Sequence, residues 1–470
     1  MKSENKNFIL NAIYQLLTYV FPLITVSYVS QNLGVDNVGI YSYTYSIVYM
    51  FMLVGMLGIN NYGNRSIARV RDDREQLSKT FFTIYGLQVL ITLFTIIAYI
   101  FYLIFFCNKY IDIATIQVIQ LISVLFDVNW FFFGLEKFKL TITRNFLIKI
   151  GSMVLIFIFV KSSGDLWKYT LIMSISVLLS QLYLILNLHK YVTYSNYSLL
   201  ESLSHFKSVL ILFIPVLAFG IYRVMDKTMI GALSSVTELG YYENAERLIN
   251  IPISLINALG TVMLPRMAYL LNNKKIDYRK PLYESMKLAL IMSVIMAGGL
   301  TLISDDISIV LFGKEFLKSG NIIKILSITV IVSAWSNVIR TQYLIPKSMD
   351  KIYINSTIGG AIINLLLNIM LIKKYGSYGA CVGTVAAECF VAFYQTIMIK
   401  NEIDTKKYLI ELFINIIKMG CIISAAFILG HYFKNIYIRL SVNFITAVVG
   451  FLLLYHKYIV YDFLGFKKID

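Results

Sequence analysis

Long apolar stretches and short polar gaps alternate along the whole chain. The stretches lie at about residues 8–30, 40–60, 81–107, 113–133, 147–163, 169–189, 208–230, 242–263, 283–303, 320–344, 353–373, 378–399, 409–431 and 440–460. A bilayer core of about 30 Å needs about 20 apolar residues per helical crossing. Lipid offers no partners to unpaired backbone groups, so runs of this kind cross as helices. The pattern predicts an all-α integral membrane protein with about fourteen transmembrane helices. No gap is long enough for a soluble domain, and the longest outer one, 304–319, is a short loop. The first stretch is too long for a signal-sequence core and is expected to be the first crossing.

Lys and Arg gather in every second gap. Arg65, Arg69, Arg71, Arg74 and Lys79 occupy the second, Lys137, Lys139 and Arg144 the fourth, and Arg266, Lys274, Lys275, Arg279 and Lys280 the eighth. Lys347 and Lys351, then Lys400, Lys406 and Lys407, follow the same rule. The positive-inside bias puts these gaps and both termini in the cytoplasm. Lys373 and Lys374 break the pattern. The net charge of +16 therefore reads as a topology signal and lipid-headgroup contact, with no nucleic-acid partner expected. Composition agrees, with 58% hydrophobic and 14% charged residues against about 45–50% and about 25% in soluble domains. Cys107, Cys381, Cys389 and Cys421 lie in apolar segments without ligand spacing and read as small core residues. His189, His205, His431 and His456 are scattered at segment ends and are expected at interfaces, not on a metal. There is no P-loop, no GxGxxG after a strand and no HExxH, so no cofactor is expected, nor ATP or zinc chemistry.

A shift of 201 residues brings Gly39 onto Gly240, Tyr41 onto Tyr242, Arg65 onto Arg266 and Lys79 onto Lys280. Both windows cover an outer loop, the next span and the basic loop after it. An offset of six spans preserves direction, so the halves would be parallel repeats about an axis along the membrane normal. This predicts one six-helix lobe over 1–207 and a second over 208–400, enclosing a cleft. Two further helices and a tail would occupy 401–470.

Charges at membrane depth are costly and mark candidate sites. Arg223, Asp226 and Lys227 share one face of the seventh span, and Glu243, Glu246, Arg247 and Asn250 share one face of the eighth. A short outer loop joins these spans, so the two faces form a mixed-charge cluster that either lines the cleft or glues the helices together. Glu388 and Asp127 are weaker candidates for an ion-coupling site; Glu388 and Lys418 read more simply as structural partners. Asn364 and Asn368 share a face and suit a helix bridge. Trp130, beside Asp127 and Asn129, reads as an interfacial anchor. Pro22 and Pro215 interrupt the first and seventh spans and are candidate hinges. Most of the 34 tyrosines suit a headgroup belt, with a minority available to stack on sugars.

Three stretches carry a family resemblance: LGVDNVGIY (33–41), WFFFGLEKFKLTITRN (130–145) and NLLLNIMLIKKYGSYGACVGTVAAE (364–388). Together with the layout of the whole chain they resemble the polysaccharide export branch of the multidrug/oligosaccharidyl-lipid/polysaccharide flippase superfamily, especially the O-antigen (Wzx-type) flippases. The resemblance implies two six-helix bundles in a V, alternating access, and a cargo of undecaprenyl-diphosphate-linked oligosaccharide moved to the outer leaflet of the bacterial cytoplasmic membrane for O-antigen or capsule synthesis. It also implies membrane lipids, H+ or Na+, and polysaccharide polymerase machinery as partners, and a transporter, not an enzyme. The fourteen-helix count also fits the lipid II flippase branch, but the first span lacks the Arg or Lys that branch carries there. In the mixed cluster, Arg223, Lys227 and Arg247 are the expected diphosphate-facing cations, with Asp226, Glu243 or Glu246 competing for them on release. A cation-coupled drug exporter would want a carboxylate-dominated cleft, and a glycan polymerase a substantial outer loop.

Overall fold

The computed structural model describes the backbone of residues 2–272 and 277–457, and the side chains of 23–271 (except 215, 218, 219 and 221–223) and 277–455. Every regular element among them is helical. Contacts divide the chain into two compact units, Met1–Gly240 and Tyr241–Asp470. The first holds α1 (Lys2–Met56), α2 (Ile59–Val70), α3 (Arg74–Phe105), α4 (Ile111–Ile116), α5 (Val118–Ser123), α6 (Asn129–Gly134), α7 (Phe138–Phe159), α8 (Leu166–Leu188), α9 (Leu199–Ser204), α10 (Phe206–Leu233) and the start of α11 (Val236–Asn272). The second holds the rest of α11, α12 (Arg279–Phe312), α13 (Leu317–Ile339), α14 (Asp350–Tyr375), α15 (Ser377–Met398), α16 (Thr405–His431) and α17 (Ile436–Lys457).

Among the described residues, 12 helical segments are long and apolar enough to cross a membrane. Two of the expected spans lie outside these 12: much of the first falls on residues 1–22, and the seventh is α10, a 28-residue helix with several undescribed side chains. Large apolar side chains point outward along α3 (Phe94, Ile97), α14 (Leu366, Met370) and α17 (Phe444, Leu453). Such a surface is stable against acyl chains, not water. The chain is a multi-pass membrane protein.

The helices start and stop where local chemistry dictates. Asp73 caps α3 by accepting from the backbone N–H groups of Glu75 (3.0 Å) and Gln76 (3.1 Å). Ser198 and Glu201 form a reciprocal capping box on α9. Lys373 and Lys374, the exceptions in the charge pattern, occupy the last turn of α14, where cations stabilise the negative end of the helix dipole. Residues 33–41, read from sequence as a short outer loop, are instead helical across a kink. Gly34 alone leaves the helical region, at φ 79°, a conformation that glycine adopts without penalty.

Unit 1 is built around a tight crossing of α1 with the start of α11. A Cβ on Gly39 would lie 1.8 Å from the Val236 carbonyl oxygen, and one on Gly240 2.2 Å from the Val35 carbonyl oxygen. Thr237 donates to Asp36 Oδ1 at 2.6 Å beside them. Val35 and Gly39 recur as Val236 and Gly240 under the same 201-residue shift, so residue i of one window touches residue j of the other and the reverse. That reciprocity is the mark of a local two-fold relation. α10 packs on α1 and α2, and Thr228 donates to Ser46 Oγ at 2.9 Å.

Aromatic residues fill the interior of unit 1. Trp130 is fully buried (0% exposed), which corrects its reading as an interfacial anchor. Its ring stacks on Phe81 at 5.5 Å and its indole N–H donates to Gln88 Oε1 at 2.9 Å. The buried ring lost its water and found a protein acceptor in its place.

His205, between α9 and α10, lies against Tyr62 (Nδ1 to the hydroxyl, 2.7 Å) and Thr83 (Nε2 to Oγ1, 3.1 Å). Burial pushes its pKa below the ordinary 6.5. The fold therefore favours the neutral ring, and that stability is present above about pH 6.5 and lost as pH falls through 6.5 towards the depressed value. The thermal midpoint of detergent-solubilised wild type is expected to drop more between pH 7.5 and pH 5 than that of His205→Gln. Equal drops would remove His205 from the account.

In unit 2, α12 packs on α13, α13 on α15 and α15 on α14, and α16 and α17 pack on α12. Polar pairs stitch these apolar helices together: Asn337 Nδ2 to Asn257 Oδ1 (2.6 Å), Trp335 Nε1 to Thr396 Oγ1 (2.8 Å) and Gln395 Nε2 to Ser356 Oγ (3.0 Å). Asn364 and Asn368 share a buried face of α14, and Asn368 donates to Asn364 Oδ1 at 3.1 Å within that helix. Lys418 stacks over Tyr455 at 4.7 Å, a structural partnership. Pro252 and Pro265 lie inside α11. Pro22 and Pro215 fall in α1 and α10, with side chains outside the described residues. Cys381 is buried as expected, whereas Cys389 and Cys421 are exposed, on faces where lipid accepts a small apolar thiol as readily as a core does.

Candidate functional site

On α11 the sequence Tyr242-Glu243-Asn244-Ala245 faces inward, and Glu243 is buried (6% exposed). Its carboxylate accepts from Arg247 Nε at 2.8 Å, one helical turn away. Arg247 is half-buried, as is Glu246, and Asn250 is exposed. On α10, Asp226 is buried (8% exposed) and Lys227 half-buried. Arg223 lies in the same helix, with its side chain outside the described residues. The i, i+4 spacing thus places Glu243 and Arg247 in an ion pair within a single helix.

A second polar centre lies wholly in unit 1, and sequence reasoning saw only its Asp127 end. The expected fourth span is not one helix. It runs as α4, α5 and a short 3-10 turn, then breaks at Asp127, whose backbone is extended (φ −78°, ψ 97°), before resuming as α6. Gln88 braces the break, its Nε2 donating to Asp127 O (2.9 Å) and to Val124 O (2.8 Å), which also accepts the Asp127 N–H. Non-helical backbone within a span is tolerated where protein supplies such partners, and broken helices often form binding sites. The Asp127 carboxylate accepts from Asn129 N (3.0 Å) and Nδ2 (2.6 Å).

Asn129 passes this charge on to an arginine. Its Oδ1 accepts from Arg144 Nη2 at 3.1 Å. Arg144, on α7, is 4% exposed, and also donates to Asn145 Oδ1 (2.8 Å), Ser180 O (3.2 Å) and Gln181 Oε1 (3.4 Å). Counting Arg144 as loop charge missed this centre. The signal was present as an Asp-x-Asn pair in an apolar run followed by Arg-Asn. Nothing in hydropathy says that the two segments meet.

Glu388, the other ion-coupling candidate, is half-buried on α15 and accepts from Ser333 Oγ of α13 at 2.9 Å. It is in the other unit from Asp127.

Residues 5–271, more than half of the chain, match the family described as "Polysaccharide biosynthesis protein". An Escherichia coli (strain K12) protein named for O-antigen transport is 26% identical over 411 residues, covering 85% of this chain and 97% of that one. A Haloferax volcanii protein named as a flippase of low-salt glycan biosynthesis is 25% identical over 164 residues, 35% of this chain and 34% of its own length. Among solved structures, the lipid II flippase MurJ in an inward closed conformation is similar with a TM-score of 0.73 at 16% identity, covering 96% of this chain and 100% of that one. An inward-facing multidrug MATE transporter is similar with a TM-score of 0.65 at 13% identity, covering 82% and 94%. These likenesses show a shared transporter fold.

Proposed function

The chain belongs to the polysaccharide biosynthesis protein family, and from that premise we propose that it flips undecaprenyl-diphosphate-linked oligosaccharide repeat units across the bacterial cytoplasmic membrane by alternating access, supplying a surface polysaccharide such as O-antigen or capsule. The substrate reading rests on the relative named for O-antigen transport, matched over nearly its full length. The reading makes the chain a transporter and not an enzyme, with both termini in the cytoplasm. It keeps the lobes at 1–207 and 208–400, followed by 401–470, on the strength of the 201-residue recurrence.

A polar, anionic headgroup does not cross hydrocarbon unaided, because its charges and hydroxyls would lose water without compensation. Arg223, Lys227 and Arg247 would bind the diphosphate, with Asn250 on the sugar side. Asp226, Glu243 and Glu246 would reclaim those cations on release. The observation that carries this assignment is the Glu243–Arg247 pair: a buried carboxylate holding a guanidinium at 2.8 Å within an apolar helix. Such a pair can exchange one anion for another at little net change in charge. Moving an anion out of a negative interior gains about 2.3 kcal/mol per charge per 100 mV. Exchange of H+ or Na+ would act through Asp127, at the break in its span, or Glu388. Polymerase machinery would take up the exported unit.

The test is complementation of a strain lacking its own flippase. Arg223→Gln/Lys227→Gln/Arg247→Gln is expected to cut surface glycan by about tenfold or more, a loss of about 1.4 kcal/mol or more, at normal protein level. Adding Glu243→Gln guards against a fold lost to an unpaired carboxylate. Unchanged export in a folded triple variant would end the proposal for these residues.

A further inference from the structure

Most Lys and Arg obey the charge rule, so cations clustered on the other side require a separate cause. Lys314 and Lys434 belong to the ninth and thirteenth gaps, both expected outside, and Arg439 follows closely on α17. The structure brings all three to one cavity of about 560 Å³, between the end of α12, the turn at Lys314–Phe316 and the start of α17. Arg439 is fixed there: its Nε donates to Asp306 Oδ2 at 2.7 Å and its Nη2 to Asp306 Oδ1, and Asp306 is buried. Neighbouring Asp305 is taken by Lys324 at 2.6 Å. Lys314 and Lys434 have no ion-pair partner among the described residues. Three positive side chains thus line the cavity, one of them paired with Asp306, and an anion relieves the repulsion among them.

The walls say which anion. Ile309 and Leu317 line the same cavity, and Tyr437 lies at its edge, 66% exposed. From there the exposed apolar residues Ile438, Phe444, Ile445, Leu452 and Leu453 run down α17, a surface made for acyl chains. A free phosphate has no use for that wall, whereas a lipid uses both parts. We propose that this cavity binds the phosphodiester headgroup of an anionic glycerophospholipid, Lys314 and Lys434 contacting the phosphate beside the anchored Arg439, with the acyl chains along α17. The site shares no residue with the proposed transport cluster, so its failure leaves that reading standing.

Native mass spectrometry of the full-length protein, released from detergent with added lipid, tests this. Wild type is expected to retain phosphatidylglycerol over phosphatidylethanolamine by about fivefold or more, the scale of one or two surface cations. Lys314→Glu/Lys434→Glu is expected to abolish the preference, and Lys314→Gln/Lys434→Gln to weaken it. Lys373→Glu/Lys374→Glu, the same charge change at the end of α14, is expected to leave it intact. Unfolding midpoints equal to wild type exclude a folding cause. A wild-type preference surviving in both Lys314/Lys434 variants overturns the proposal, as does an equal loss in the Lys373/Lys374 variant. Displacement of the lipid by an equal concentration of glycerol 3-phosphate would mean that the cavity reads phosphate alone, and would overturn the lipid assignment.

Discussion

Gly39→Ala and Gly240→Ala will each strip the membrane of most of its folded protein, although each adds one methyl group. At Gly39 the new carbon would sit 1.8 Å from the Val236 carbonyl oxygen, and at Gly240 2.2 Å from that of Val35. Both obstacles are backbone, so no rotamer change relieves them, and the helices must separate. Overpacking in a well-packed core costs about 1–3 kcal/mol, occasionally more. Separation here would also stretch the 2.6 Å Thr237–Asp36 hydrogen bond, which places the cost at the upper end of that range. Gly299 is the matched control, because a Cβ there meets nothing within 4 Å, and Gly299→Ala is expected to be silent. The measurement is the unfolding midpoint of purified protein, with yield from the membrane. A midpoint for Gly39→Ala equal to that of Gly299→Ala would mean that the crossing is looser than described.

Arg144→Leu is expected to be as damaging for the opposite reason, since it removes a group and does not add one. The guanidinium serves Asn129, Asn145, Gln181 and the Ser180 carbonyl. Without it the Ser180 carbonyl stays buried and Asn129 and Gln181 half-buried, at about 1–3 kcal/mol for each that finds no other donor, whereas the exposed Asn145 can turn to water. Asp127 also loses the nearby cation that, through Asn129, offsets its charge. Arg144→Lys keeps the charge but cannot fork to several acceptors, so it should recover part of the stability and little of the alignment at the Asp127 break. Asp127→Asn in the Arg144→Leu background should restore some folded protein by removing the stranded carboxylate. If Arg144→Leu matches wild type in yield and midpoint, the network has no structural weight.

Of the proposed transport cluster, the Glu243–Arg247 pair was legible because helical periodicity alone places i and i+4 side by side. The Asp127–Asn129–Arg144 centre was not, because Asp127 and Asn129 sit at the break before and the start of α6, Arg144 is on α7, and they meet only through packing. Trp130 shows the same limit. Its place at a span end suggested a headgroup neighbour, yet the ring is enclosed by Phe81 and Gln88.

Hydropathy is a property of each residue taken singly, so it was enough to establish an all-helical membrane chain and the approximate course of its spans. It does not say how each helix is turned. In water a helix advertises its buried face by being polar on the other, but in lipid both faces are apolar and the contrast vanishes. Which faces meet is then settled by close packing and by the few polar groups that must find partners. That is why the Gly39–Gly240 crossing, the break at Asp127 and the cavity around Lys314 and Lys434 appear only once the chain is folded.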